Sequence, residues 1–215
     1  MEASYSKASA HAIESLADYF NSLQVGVGVA GGCEAAVHAT RRFLSTMPAD
    51  SIIVKLDFSN AFNSLHRDYM LERVSEAIPE LYKFSHLAYK EHSILQFGEF
   101  CLTSQEGSQQ GDPLGGLLFC LDIHPILRST TSPLDIGFMD DITLGGTRKE
   151  VSDDVQLFQE EEIKIGLHLK ETKCEVIARD HPQPTGSLEG FSVVNSENAS
   201  LLGARWVLAM LLTTL

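Results

Sequence analysis

The sequence is poor in positive charge, in paired cysteines and in long apolar runs. Its 215 residues include 16 lysines and arginines against 29 aspartates and glutamates, a formal net charge of −13. Phosphate polyanions repel so acidic a chain unless its basic residues gather on one face, which counts against nucleic-acid binding. The four cysteines form no C-x-x-C pair, which argues against a zinc site and a disulfide scaffold. They are Cys33, Cys101, Cys120 and Cys174.

Targeting and membrane signals are also missing. The first twenty residues have no basic segment followed by an apolar core, so they do not read as a secretory signal. The most apolar stretch, 201–215, contains Arg205 and is too short to cross a bilayer. We therefore expect an intracellular protein, nuclear or cytoplasmic, with no membrane partner; its oligomeric state is left open.

Hydrophobic patterning predicts helices mixed with a few strands. Helices are expected over the first twenty residues, over 34–47, around 64–81 with Ser64 as cap and a break at Pro79, and from Pro113 onward. A further acidic helix is expected where Val151, Val155 and Phe158 form an apolar stripe. Strands are expected at SIIVKLDF, at the hairpin SILQFGEFCLTS, and at 134–137, 142–144 and 173–179, with a loop over 180–200. Regular β-α alternation is absent, which favours an α+β domain with an antiparallel sheet and helices on one face.

Three acidic residues stand out by their position. Asp57 ends a predicted buried strand, and Asp140 and Asp141 occupy a predicted turn between two short strands. If that hairpin pairs beside the first strand, the carboxylates converge and could hold two Mg²⁺ ions for a phosphoryl displacement. Aspartate is also a common turn residue, so the pair alone has an ordinary structural interpretation.

A loop that contains glycines lies in the sequence between Asp57 and the Asp140–Asp141 pair. In EGSQQGDPLGGLLF, Gly107 and Gly111 permit positive φ, and Gln109 and Gln110 offer uncharged donors. The following helix begins near Pro113, and its N-terminus favours anions. The loop therefore suits a nucleotide or a nucleic-acid backbone, although a polar turn into a core helix explains it equally well.

Four segments together resemble a known family. KLDFSNAFNSL, SQEGSQQGDPLGGLLFCL, GFMDDITLGG and GLHLKETKCEV resemble, in that order, four successive palm motifs of reverse transcriptases of the non-LTR (LINE-like) retrotransposon type. The resemblance implies a right-hand polymerase palm with partial fingers and no thumb. It also implies RNA-directed DNA synthesis from dNTPs on an RNA template and a DNA primer, with two Mg²⁺ ions, Mn²⁺ being possible.

The resemblance carries roles to individual residues. Asp57 and Asp140 match the metal-binding aspartates, and Asp141 matches a less direct third carboxylate. Lys173 matches a lysine beside the leaving pyrophosphate. The implied nucleotide-binding residues are Phe58, the sugar-gating aromatic Phe62, and the pair Gln110 and Gly111. Position alone suggests phosphate contacts for Arg41, Arg42 and Lys55.

The resemblance also suggests how the chain is organised. We expect an N-terminal helical segment at 1–23, the palm with partial fingers at 24–180, and a loop with a divergent apolar tail at 181–215. The sequence departs from the family pattern at Met139, in its shortness, and in RWVLAMLLTTL, which does not continue the family segment LLGA and suggests a truncated reading frame.

Two other interpretations stay open. The chain could be a catalytically inactive, truncated palm remnant that keeps the acidic residues but has too little surface to grip a primer and template. A more distant alternative is a dinucleotide-binding protein, because residues 26–31 formally satisfy G-x-G-x-x-G before a predicted helix.

Overall fold

The structure, a computed structural model, describes residues 2–20, 22–109, 111–178 and 183–206. The helices are α1 Glu2–Phe20, α2 Gly32–Thr46, α3 Ala61–Ser64, α4 Arg67–Ala77, α5 Pro79–Tyr89, α6 Gly115–Leu127 and α7 Arg148–Ile165. The strands are β1 Ser51–Leu56, β2 Ser93–Phe97, β3 Phe100–Ser104, β4 Leu134–Phe138, β5 Asp141–Thr147, β6 Glu175–Ala178, β7 Ser192–Asn195, β8 Ser200–Leu201 and β9 Ala204–Arg205. The fold is α+β, as predicted.

A five-stranded sheet in the order β4-β5-β1-β6-β7 forms the centre of the molecule. Its neighbouring strands pair antiparallel, except that β6 and β7 run parallel. The β-branched run of β1 explains its central place, because Ile52, Ile53 and Val54 are fully buried. The hairpin of β2 and β3 forms a separate sheet, and its apolar side chains are largely exposed.

Helices cover both faces of the sheet, so the prediction of helices on one face is wrong. Ile52 and Val54 pack with α6 and α7, whereas the alternate residue Ile53 packs with α2 and Trp206. Successive side chains of a strand point to opposite faces, and a continuous apolar run is therefore typical of a strand buried on both sides. A further apolar cluster joins α1, α4, α5 and α6.

Three local predictions need correction. Ser64 ends α3 rather than capping the next helix, because its hydroxyl donates to the Asn60 carbonyl oxygen at 3.0 Å and α4 begins at Arg67. Helix α6 begins at Gly115, two residues after Pro113. The expected loop over 180–200 contains β7, which extends the sheet through its pairing with β6. Arg179 and the apolar tail from residue 207 lie outside the described residues.

In the described parts of the chain, no helix combines the length and the apolar character needed to cross a membrane.

Candidate active site

The sheet brings the ends of β1 and β5 together. Leu56 of β1 pairs with Ile142 of β5, so Asp57 and Asp141 each come one step beyond that pair, at the same edge of adjacent strands. Asp140 lies in the two-residue turn between β4 and β5, where Phe138 pairs with Asp141. The positions expected to converge across the sheet are therefore neighbours.

The carboxyl groups of Asp140 and Asp141 lie close enough to neighbouring carboxylates for their pKa values to be raised. Burial and then the Asp57 carboxylate raise the pKa of Asp140. Burial, Asp140 and Asp57 raise the pKa of Asp141, and the Lys55 ammonium opposes them. Neighbouring carboxylates repel each other when ionised, so a cation between them would relieve the repulsion.

A cavity of about 350 Å³ opens in front of this edge. It is lined by Lys55, Leu56, Asp57, Asp141, Thr172, Lys173, Glu175 and Ser192. The Lys173 ammonium lies 4.0 Å from a carboxylate oxygen of Asp57, and it remains more than half exposed. Lys55 instead pairs with Glu175 at 2.9 Å, so part of its charge is already neutralised within the protein.

The donor set suits a hard cation that keeps waters and substrate oxygens. Among the residues that the structure describes, no three His, Cys, Asp or Glu side chains form a group that could hold a metal ion. Mg²⁺ usually takes only one or two carboxylates from the protein and completes its shell with water and substrate phosphates. Asp57 and Asp141 line the same cavity and so fit that smaller requirement, and Asp140 is coupled to both.

The segment that follows α7 forms backbone hydrogen bonds with Asp57 and with Ser59. The Lys170 amide donates to the Asp57 carbonyl oxygen at 2.8 Å, and the Ser59 amide donates to the His168 carbonyl oxygen at 2.8 Å. The buried Cys174 thiol accepts a hydrogen bond from the Asp57 amide, with 3.4 Å between nitrogen and sulfur. These contacts place Lys173 beside Asp57 and show that Cys174, which sequence reasoning did not select, supports the site.

Phe62 belongs to α3 and lies against the glycine-bearing loop. Its ring stacks on Phe119 of α6 with 4.8 Å between the ring centroids. The Ser108 amide donates to the Phe62 carbonyl oxygen at 2.8 Å, and a Cβ at Gly107 would lie only 2.2 Å from that oxygen. Position 107 has to be glycine because the two backbone segments approach too closely to leave room for a Cβ. The same contact holds Phe62, the predicted sugar gate, against the predicted nucleotide-binding loop.

Two polar residues fix the remainder of this loop. Tyr89 donates its hydroxyl hydrogen to Asp112, whose other oxygen accepts from the Leu114 amide at 2.8 Å at the start of α6. Burial raises the pKa of Tyr89. Gly111 has φ 88 and open space around it, so its backbone is accessible to a ligand. Gln110 lies outside the described residues.

Sequence reasoning also missed Arg67, because a basic residue at a helix start gives no distinctive signal. Arg67 is 7% exposed, and its guanidinium donates to the carbonyl oxygens of Ser104, Glu106 and Gly107. It also lies over the Tyr89 ring, 5.4 Å from the centroid. Burial lowers the pKa of Arg67. This side chain therefore ties α4 to the loop.

Other predicted contacts are not supported by the side-chain positions. Phe58 is 7% exposed and packs near Phe158 in the core, so its ring is not presented to a nucleotide. Arg41 donates to the carbonyl oxygens of Arg205 and Trp206, which gives it a structural role. For Arg42, the structure gives no contact that bears on phosphate binding.

The dinucleotide alternative does not agree with the fold. No strand among the described residues precedes the glycines at 26–31, and the sheet lacks the parallel β-α-β order that such a turn requires. Gly26 has a different reason to be glycine, because a Cβ there would lie 2.8 Å from the Met139 amide nitrogen. The segment packs against the aspartate turn.

Comparison with protein families gives a match over most of the chain. The family model described as "Reverse transcriptase (RNA-dependent DNA polymerase)" matches residues 4–205. No curated protein matches the chain.

Solved structures show a similar fold at low sequence identity. Apo telomerase from Candida tropicalis has a TM-score of 0.60 at 12% identity, covering 81% of this chain and 36% of that one. Telomerase from Candida albicans, in complex with a TWJ fragment of telomeric RNA, has a TM-score of 0.55 at 12% identity, covering 86% and 35%. The chain thus spans just over a third of the length of these structures.

Proposed function

Because this chain belongs to the reverse transcriptase (RNA-dependent DNA polymerase) family, we propose that it adds dNTPs to the 3′ end of a DNA primer on an RNA template. The observation that carries the proposal is the convergence of Asp57, Asp140 and Asp141 at one edge of the sheet, beside the cavity and Lys173. Family membership alone leaves open which residues do the chemistry; this geometry supports the assignment.

The three aspartates are the proposed ligands of two Mg²⁺ ions, or of Mn²⁺ in their place. Such ions supply charge that helps a primer hydroxyl to attack and a pyrophosphate to leave. The carboxylates fit the role because they are coupled electrostatically and because Asp57 and Asp141 face one cavity. The raised pKa values of Asp140 and Asp141 mean that cations bound there would displace protons from these two carboxyl groups at acidic pH.

Neighbouring residues have separate proposed roles. Lys173 is exposed and within reach of Asp57, so its ammonium can stabilise negative charge on the leaving pyrophosphate. Phe62 is held by Phe119 and by the Ser108 loop, so its ring can exclude the 2′-hydroxyl of a ribonucleotide. Gly111 can contact the incoming nucleotide through its backbone, and Gln110 is proposed to act beside it.

The origin of the chain is part of the same proposal. The four motif strings support a non-LTR retrotransposon source, with residues 24–180 as the palm and partial fingers and with a nuclear or cytoplasmic location. The segments 1–23 and 181–215 would then flank the polymerase unit.

A metal-binding palm without polymerase activity is the second candidate. The net charge of −13 favours it, because so acidic a chain grips a primer and template weakly. The relevant contrast is therefore between cation binding and nucleotide incorporation.

Primer extension tests the proposal directly. The purified chain is incubated with an RNA template, an annealed DNA primer, dNTPs and millimolar Mg²⁺. Asp57→Asn and Asp140→Asn keep the side-chain shape but remove the charge, and each should lower incorporation by roughly 100-fold or more. Asp153→Asn is the matched control, because Asp153 is an exposed acid that pairs with Lys149 on α7.

The outcomes separate the two candidates. Extension by the wild type and by Asp153→Asn, but not by the two site variants, supports the polymerase. Wild-type activity in Asp57→Asn and Asp140→Asn would contradict the assignment of the site. Mn²⁺ binding without any extension would favour the inactive palm.

A further inference from the structure

The turn that carries Asp140 is unusual because its first residue, Met139, has a positive φ although it is not glycine. Met139 has φ 57, in the left-handed region that L side chains rarely adopt. Met139 also precedes Asp140 directly, so any rotation of its backbone would move the carboxylate. Something must hold this conformation in place.

Gln24 makes the contacts that can do so. Its side-chain oxygen accepts a hydrogen bond from the Met139 amide at 3.2 Å, and its side-chain nitrogen donates to the Met139 carbonyl oxygen at 3.4 Å. A third contact joins the Cys120 thiol to the Gln24 oxygen at 3.4 Å. Because Gln24 is fully buried, water cannot replace these partners.

The backbone around Gln24 is built to reach the turn. The Val25 amide donates to the Gly137 carbonyl oxygen at 2.8 Å, and the Gly137 amide donates to the Leu23 carbonyl oxygen at 2.6 Å. This short parallel pairing lays the segment along β4, next to the turn. The Gln24 side chain thereby arrives already aligned with Met139.

Two glycines make room for this approach. A Cβ at Gly137 would lie 2.6 Å from the Gln24 side-chain nitrogen, and a Cβ at Gly26 would lie 2.8 Å from the Met139 amide nitrogen. Either methyl group would push the amide and the turn apart. The glycine-rich segment therefore has a use at the site that does not involve phosphate binding.

We propose that Gln24 is a positioning residue, which binds both backbone groups of Met139 and thereby fixes where the Asp140 carboxylate stands relative to Asp57. The glutamine side chain is long enough to reach the turn, and its amide offers both a donor and an acceptor, which match the carbonyl oxygen and the amide of Met139. The importance of Asp140 rests on the proposed function, whereas the clamp on Met139 rests on geometry alone.

The test compares Gln24→Met with the wild type. Methionine keeps most of the side-chain volume but cannot form either bond to Met139. Gln159→Met is the matched control. Gln159 lies on α7, donates a side-chain hydrogen bond to the Ser187 carbonyl oxygen at 3.0 Å, and does not line the site. If Gln24→Met does not fold, Gln24→Asn replaces it, since its shorter amide cannot span the same distance.

The first readout does not need activity. Hydrogen–deuterium exchange should show the Met139 amide exchanging at least tenfold faster in Gln24→Met than in the wild type or in Gln159→Met. Equal protection in all three proteins would overturn the clamp, whether or not the chain polymerises DNA.

The second readout tests the consequence for the site. In primer extension, Gln24→Met should lower kcat by tenfold or more while the KM for dNTP changes less than twofold, with Gln159→Met near wild type. Should the wild type not extend a primer, Mn²⁺ affinity measured by electron paramagnetic resonance takes the place of kcat and should weaken several-fold. Lost protection with unchanged kcat, or with unchanged Mn²⁺ affinity in that second case, would overturn the positioning role.

Discussion

Replacing Arg67 with methionine should destabilise the loop that leads from β3 to α6. The guanidinium donates at 3.0–3.2 Å to the carbonyl oxygens of Ser104, Glu106 and Gly107 and also to the Ser104 hydroxyl. Methionine has a similar length but no donor, so all four hydrogen bonds are lost and the loop is tied to α4 only by weaker contacts.

The expected loss in the free energy of unfolding depends on how deeply the Arg67 guanidinium and its acceptors are buried. A hydrogen bond to a charged group contributes about 1.5–3 kcal/mol. Only Gly107 is buried, however, so water can replace the lost donor at Ser104 and Glu106. Removing a desolvated charge also returns part of its burial penalty. We therefore expect a net loss of about 2–3 kcal/mol, which corresponds to a fall in Tm of roughly 4–12 °C for a domain of this size.

Thermal unfolding followed by circular dichroism provides the assay. Lys149→Met is the matched control, because Lys149 forms an exposed ion pair with Asp153 that is worth little. Arg67→Lys should fall between wild type and Arg67→Met, since an ammonium keeps the charge but cannot reach all the acceptors. A Tm for Arg67→Met within 2 °C of wild type would refute the role assigned to this residue.

Three further predictions concern the site and its support. Phe62→Val should admit ribonucleotides, because the stacked ring is replaced by a smaller side chain; unchanged discrimination between dNTP and NTP in primer extension would remove Phe62 as the gate. Lys173→Ala should lower kcat for incorporation more than it raises the KM for dNTP, with the nearby exposed Lys170→Ala as control, and the reverse pattern would make Lys173 a binding residue only. Burial raises the pKa of Glu162 from 4.5 to about 7. The folded state therefore binds one more proton than the unfolded state between these two values, and the free energy of unfolding falls as the pH rises through that interval. Glu162→Gln should flatten this dependence of Tm on pH, whereas the neighbouring Glu161→Gln should not; equal curves for both variants would contradict the assignment.

Much of the central architecture could be predicted because it depends on local pattern. The apolar run of Ile52–Val54 predicts the central strand, and the strand-turn-strand pattern around Asp140 predicts the hairpin beside it. The sequence leaves the pairing of this hairpin with the first strand as a condition, and the register of Leu56 with Ile142 meets it. The acidic positions therefore lie at one edge of the sheet.

What could not be predicted depends on contacts between distant parts of the chain. Gln24 lies 115 residues from Met139, and Cys174 lies 117 residues from Asp57, so no local period or spacing links them. The cover of the second face of the sheet could not be predicted for a related reason. A continuous apolar strand shows that both faces are covered, but it does not show that α2 and Trp206 supply the second cover.

The most direct test of the central claim is anomalous diffraction from crystals of the chain soaked with Mn²⁺. We predict a metal peak within about 2.5 Å of carboxylate oxygens from Asp57 and from Asp140 or Asp141. A peak bound away from these residues, or Asp57 and the Asp140–Asp141 turn at different edges of the molecule, would contradict it.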